Sequence, residues 1–268
     1  MDHDAYLAVL REESERLLAA LDGVDPATPV PTCDGWTASD LLWHVGHGQD
    51  RWARIALGAD GDDDVPEPDR PADGDLPAFV AVAGTELLAA LGGRPPGTPS
   101  WSWHPEGGTL AWLARRQAHE ALVHRVDAEL TAGLPVTPPV PTVAADGVDE
   151  LLRHFVHGVP EWGTFTPDGV AVRLEATNVP DAWVLRLGRF TGTSPGSGTS
   201  YDLDAGMLAD PTDDAVPADG GAQLVVRGSA WDLDLWLWGR GPGDHLETDG
   251  DPALLARLRE LVRDATSD

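Results

Sequence analysis

Two histidines and a glutamate carry the chemistry this sequence can offer, and helical phase brings them together. Each helical residue turns about 100°, and the buried stripe of an amphipathic helix is a little wider than that. In a periodic stretch around residues 37–57, His44 shares a face with Leu41, Val45, Gly48, Trp52 and Ile55, while His47 and Asp50 point elsewhere. Around residues 109–132, Glu120, His124 and Asp127 share a face with Leu113 and Val123, with His119 near its edge. Glu and His four residues apart stack one turn apart and can share a metal. A third ligand from a neighbouring helix makes a His₂Glu set with an open fourth position, the pattern of a catalytic rather than a structural zinc site. The plainer alternative stays open: a Glu-x-x-x-His pair on a helix surface and a satisfied histidine in the core. The cost of burying an unpaired carboxylate favours the metal.

These side chains need helices to position them, and the first half of the chain supplies four. Periodicity predicts helices over about 2–22, 37–57, 76–91 and 109–132. Gly23, Gly58 and Gly133 close three of them, and a Thr37–Asp40 capping pair opens the second. Residues 58–75, rich in Asp, Gly and Pro, read as a solvated loop, and four such helices suggest an antiparallel bundle. PVTPPVPT at 135–142 reads as a stiff connector, separating a bundle domain at 1–134 from a smaller α+β domain at 143–268. In the latter, strands are predicted at 170–177, 182–188 and 222–228, and helices at about 147–156, 229–238 and 252–264. Residues 191–221 read as a long excursion with little regular structure.

Composition removes several functions. The 268 residues hold 45 Asp and Glu against 18 basic residues, all arginine, for a net charge of −27. Such a surface repels phosphate backbones, so no nucleic-acid partner is expected. Without lysine there is no Schiff-base chemistry and no P-loop. A single cysteine, Cys33, excludes an intramolecular disulfide and any multi-cysteine metal site. The N-terminus lacks the layout of a signal peptide, and no apolar run approaches the roughly 18 residues of a membrane span. The expectation is a cytoplasmic protein with no membrane partner. The bias resembles a GC-rich coding sequence such as an actinomycete's, although adaptation to high salt also gives acidic, lysine-poor chains.

Three segments make the sequence recognisable: VPTCDGWTASDLLWHVGH (30–47), RRQAHEALVHRVDAEL (115–130) and VVRGSAWDLDLWLWGR (225–240). In this order they resemble the mycothiol-dependent maleylpyruvate isomerase family, whose first domain is similar to the DinB-like metal-binding four-helix bundles. The resemblance implies that His44, Glu120 and His124 bind a divalent metal, zinc, and that mycothiol is the cosubstrate. Asp127, one turn beyond His124, could hold that ligand's second ring nitrogen, or pair with a nearby arginine.

A His₂Glu metal could favour the thiolate of a bound thiol or ionise a water for hydrolysis. A free thiol of pKa about 8.5 is only about 3% thiolate at neutral pH, so full ionisation gains roughly 30-fold, about 2 kcal/mol. Holding the thiol beside its electrophile matters more. In an isomerase the thiolate adds to a conjugated cis double bond, the adduct rotates, and elimination gives the trans acid; in an S-transferase the thiol stays attached. A zinc-water hydrolase on the same ligands and a non-catalytic metal-binding or regulatory protein are the alternatives. The small electrophilic substrate, if anionic, needs a cation, and only arginine is available. Arg240, which ends the third segment, is the first candidate and Arg227 the second; both could instead be salt-bridge partners. Trp101, Trp103 and His104 sit in a loop that could rim the site. Cys33 lacks an adjacent base and reads as structural.

Overall fold

The computed structural model describes residues 1–61, 65–104, 108–209 and 222–266. Within it the chain divides into two compact units, Met1–Thr137 and Pro138–Asp268.

The first unit is built from α1 (His3–Leu21), α2 (Ala38–Leu57), α3 (Leu76–Gly92) and α4 (Leu110–Thr131), with a two-residue ladder, β1 (Pro99–Ser100) with β2 (Gly108–Thr109), before α4. Short side chains fix the starts. Asp2 caps α1 by accepting from the Ala5 N–H, and Thr109 caps α4 by accepting from the Trp112 N–H. Thr37 and Asp40 form the reciprocal capping box of α2, which ends at Gly58 in the left-handed conformation (φ 118°). Contacts between facing residues give the directions. His44 meets Glu120 and Trp52 meets Trp112, so α2 and α4 run antiparallel. Glu13 meets Arg125 and Arg16 meets Glu129, so α1 and α4 run the same way. Trp43 stacks on Phe79, and the side chain of Gln49 lies against Gly84, so α2 and α3 are also parallel. The long connection from Gly58 to Asp75 allows this, because it can run back along the roughly 30 Å of a 20-residue helix.

The chain of α3 with its leading turn, Asp73–Gly92, is long and apolar enough by length and composition to cross a membrane. This qualifies the sequence expectation that no run approaches that size. In the bundle, Leu76, Val80, Ala83, Leu87 and Leu91 of this helix are buried against its neighbours, which accounts for the apolar content.

The second unit holds α5 (Pro141–Leu151), a π-helical turn (Leu152–Val156), β3 (Gly163–Ala176), β4 (Ala182–Thr193), β5 (Ser200–Leu208), β6 (Leu224–Gly228), α6 (Ala230–Leu237), β7 (Glu247–Gly250) and α7 (Pro252–Thr266). Its sheet has the order β5-β4-β3-β6-β7; β3 and β6 are parallel and the other neighbours antiparallel. Val172 and Leu174 of β3, Leu185 and Leu187 of β4, and Leu224 and Val226 of β6 bury one face against Val148 and Leu151 of α5, Leu233 of α6 and Leu258 of α7.

Three sequence expectations change here. The helix predicted at about 147–156 starts earlier, at Pro141, because proline is accepted at the first helical position. Of the excursion predicted at 191–221, residues 191–193 continue β4 and 200–208 form β5, while 210–221 lie outside the described residues. Residues 191–193 of β4 and 200–204 of β5 hold no buried side chain, so they carry none of the apolar alternation that marks a half-buried strand. The expected strand at 170–177 begins earlier, at Gly163, and passes a β-bulge between Pro167 and Ala171.

Candidate metal centre

His44 on α2 and Glu120 and His124 on α4 converge, with one potential ligand atom from each lying within 4.8 Å of the others. One oxygen is the common vertex. Glu120 Oε1 lies 3.3 Å from His44 Nε2 and 3.0 Å from His124 Nε2. Ligands at about 2.0–2.1 Å from a tetrahedral ion stand roughly 3.3–3.4 Å apart, and the two Glu120–histidine distances are close to that.

The surrounding side chains hold each donor in place. Arg116, one turn before Glu120 and almost wholly buried, donates to Oε2 and leaves Oε1 to the histidines. His124 Nδ1 lies 2.9 Å from Asp127 Oδ2, which directs Nε2 toward Glu120. Asp127 is fully buried, and its other oxygen accepts from the Thr32 hydroxyl, while the Cys33 thiol stands 3.8 Å from Oδ2. The loop before α2 is thereby tied to the ligand on α4. From the same loop, Trp36 lies with its ring 4.8 Å from His44 and stacked 6.3 Å from His124.

Electrostatics follow from this arrangement. Burial would raise the Glu120 carboxyl, but His124 and Arg116 outweigh it and hold the group well below its ordinary pKa. For His124 burial would lower the pKa, yet the Glu120 charge and the bond to Asp127 push it up to about 9. The metal-free site at neutral pH is therefore an anionic Glu120 beside a protonated His124. A metal must displace that proton, so its affinity should climb about tenfold per pH unit from 7 and level off above about 9. An unshifted histidine would level off near 6.5. In Asp127→Asn one of the charges that raise His124 is gone; the plateau should move to lower pH and affinity fall by about 10–100-fold. Chelator competition across pH measures both.

The other sequence candidates have the following surroundings. Arg227, on β6, has its Nε 2.6 Å from Glu175 Oε2, and Arg173 holds the other oxygen of the same carboxylate. Arg240 follows α6 and donates to the carbonyl of Trp238 at 2.6 Å. His47 stacks on Trp43 at 5.3 Å. His119 is buried beside Tyr6. Trp101, Trp103 and His104 join Trp52 and Trp112 in an aromatic cluster, while 105–107 of that loop lie outside the described residues. Sequence phase did not reveal Trp36 or the grip of Arg116 on Glu120, although Arg116 stands at the i−4 position where such a pair forms.

Fold and site together define a two-unit protein in which a four-helix bundle presents a His₂Glu cluster and is followed by an α+β unit. Residues 7–129 match the family model described as the mycothiol maleylpyruvate isomerase N-terminal domain, and residues 142–257 match the MDMPI C-terminal domain. The chain belongs to the mycothiol-dependent maleylpyruvate isomerase family. Two solved structures share its fold over 93% of both chains: a mycothiol-dependent maleylpyruvate isomerase (16% identity, TM-score 0.54) and a histidine-to-alanine mutant of a mycothiol-dependent maleylpyruvate isomerase (15% identity, TM-score 0.57). Comparison with curated proteins gives no match.

Proposed function

We propose that this protein is a metal-dependent isomerase that uses mycothiol as cosubstrate, with His44, Glu120 and His124 holding a divalent ion, zinc by its donor set. The observation that carries the reading is the single carboxylate oxygen facing two histidine Nε2 atoms, with Asp127 directing one ring and Arg116 the carboxylate. When bound, the ion supplies positive charge that favours the thiolate form of a thiol. Family membership supports the thiol and the isomerase class.

The chain's own residues then have distinct tasks. Asp127, braced by Thr32, keeps the His124 ring oriented. Trp36 covers one side of both histidines and limits the approach of water. The thiolate adds to one carbon of a conjugated cis double bond, the resulting single bond rotates, and elimination restores the thiol and gives the trans acid. Arg240 is the cation we propose from the second unit for an anionic substrate. Arg227 would first have to share Glu175.

The test is incubation of the metal-loaded protein with mycothiol and short cis-conjugated acids. The expected result is geometric isomerisation that needs thiol but does not consume it. Stoichiometric loss of thiol would assign S-transfer instead. Turnover that needs no thiol would overturn the reading in favour of hydrolysis on the same ligands, and metal binding with no turnover in favour of a regulatory protein.

A further inference from the structure

The VPTCDGW loop before α2 holds one side chain still. The Val30 N–H donates to the Trp36 carbonyl at 2.9 Å and the Trp36 N–H to the Cys33 carbonyl at 3.0 Å, so both backbone groups of Trp36 are bonded inside the loop. Gly35 turns the chain just before it in the left-handed conformation (φ 80°), and Thr37 caps α2 just after it. The Thr32 hydroxyl ties the same loop to Asp127, which holds His124. The indole packs against the apolar cluster that contains Leu17, Val30 and Leu41, yet it stays half-buried.

An apolar residue just before an N-cap commonly staples the first turn, here toward Leu41, and any large apolar side chain can do that. Stapling does not account for the second neighbourhood of this ring. Its centroid stands 4.8 Å from that of His44 and 6.3 Å from that of His124, nearly parallel to the latter ring at 19°. The indole is thus nearer the more open histidine. The side chains of His44 and Glu120 are 35% and 33% exposed, that of His124 only 8%. Three protein donors leave a tetrahedral ion one further position. Whatever takes it reaches the donors along their exposed flank, beside Trp36.

We propose that Trp36 touches the electrophile: its indole is the wall on which a flat conjugated acid lies while the thiolate adds to the double bond. This rests on the thiol-isomerase reading. Two flat π systems in contact gain roughly two- to tenfold in affinity beyond the area they bury. The gain ends when the new carbon–sulfur bond turns the double bond into a single one, because the adduct is no longer flat. Trp36 therefore acts in binding the acid before addition and after elimination, and it grips the conjugated body rather than the charge.

The experiment is calorimetric titration of the metal-loaded full chain with maleate and with succinate, which share length and charge and differ in the double bond. Wild type, Trp36→Phe and Trp36→Leu are compared, each assayed for metal content. Wild type should prefer maleate. Trp36→Leu should lose about two- to tenfold in maleate affinity, with succinate affinity and metal content unchanged, and Trp36→Phe should keep most of the preference. A wild type without the preference, an equal loss for both acids in Trp36→Leu, or a Trp36→Phe as weak as Trp36→Leu would overturn the contact. So would loss of metal from both variants, which would make the ring part of the ligand scaffold. A Trp36-dependent preference for maleate without thiol-dependent turnover would instead remove the thiol-isomerase reading and leave the contact standing. Thiol-dependent turnover with maleate binding unchanged in Trp36→Leu would do the reverse.

Discussion

Glu120→Gln is expected to strip the protein of its divalent ion and of thiol-dependent isomerisation while leaving the bundle folded. Glutamine keeps the volume of the side chain but replaces the anionic oxygen that faces both His44 Nε2 and His124 Nε2. It also removes the charge opposite Arg116 and the charge that does most to raise His124. Residues that merely orient a ligand change metal affinity or activity by about 10–100-fold, so loss of the shared ligand should exceed about 100-fold in both. His44→Ala should match it in metal content. Metal analysis of purified protein beside a circular dichroism spectrum separates loss of the ion from loss of fold. Stoichiometric metal in both variants would refute the ligand assignment.

Arg125→Met should cost the first unit about 3–5 kcal/mol, the penalty of breaking a buried ion pair from one side. Arg125 is fully buried, with its Nε 2.6 Å from Glu13 and its Nη1 2.7 Å from Glu129 and 2.8 Å from the Thr137 carbonyl. Burial raises the Glu13 pKa even with that guanidinium present, so without it two carboxylates would share a dry site with Arg16, itself part exposed, as their cation among the described residues. A melting point lower by on the order of 10–15 °C is expected. Replacing Glu13, Arg125 and Glu129 together by apolar residues should recover much of the loss, because no fully buried charge is then left alone and Arg16, with 30% of its side chain exposed, can turn to water. Thermal and urea unfolding of both variants check this; a triple variant no better than Arg125→Met would contradict it.

How much could be read from the sequence depended on whether a side chain's environment is local. The Thr37–Asp40 box and the Gly58 stop are local chemistry, and α2 begins and ends where they place it. His44, Glu120 and His124 share faces set by helical phase alone, and in the structure they meet. Phase is silent on which helix runs which way. The same-sense pairing of α1 with α4 and of α2 with α3 depends on what the 58–75 connection does in space. Trp36 lies before its helix begins, so periodicity could not aim it at the histidines. In the second unit the exposed lengths of β4 and β5, and all of β7, lack buried apolar residues and so lacked a signal. The buried lengths at 172–174, 185–187 and 224–226 were legible.

The parallel pairing of β3 with β6 sets an order of events during synthesis. β3, β4 and β5 form a meander that can close by its own hairpins as soon as they leave the ribosome. The other edge of β3, from Val172 to Ala176, waits for Leu224–Gly228, some fifty residues later in the chain. Until then its backbone N–H and C=O groups stand open, alongside the apolar Val172 and Leu174 that the finished protein buries completely. An open apolar edge is a template for pairing with another chain. A nascent chain halted before β6 is thus the form of this protein most prone to aggregate, whereas the bundle, encoded earlier, has every helix it needs by then.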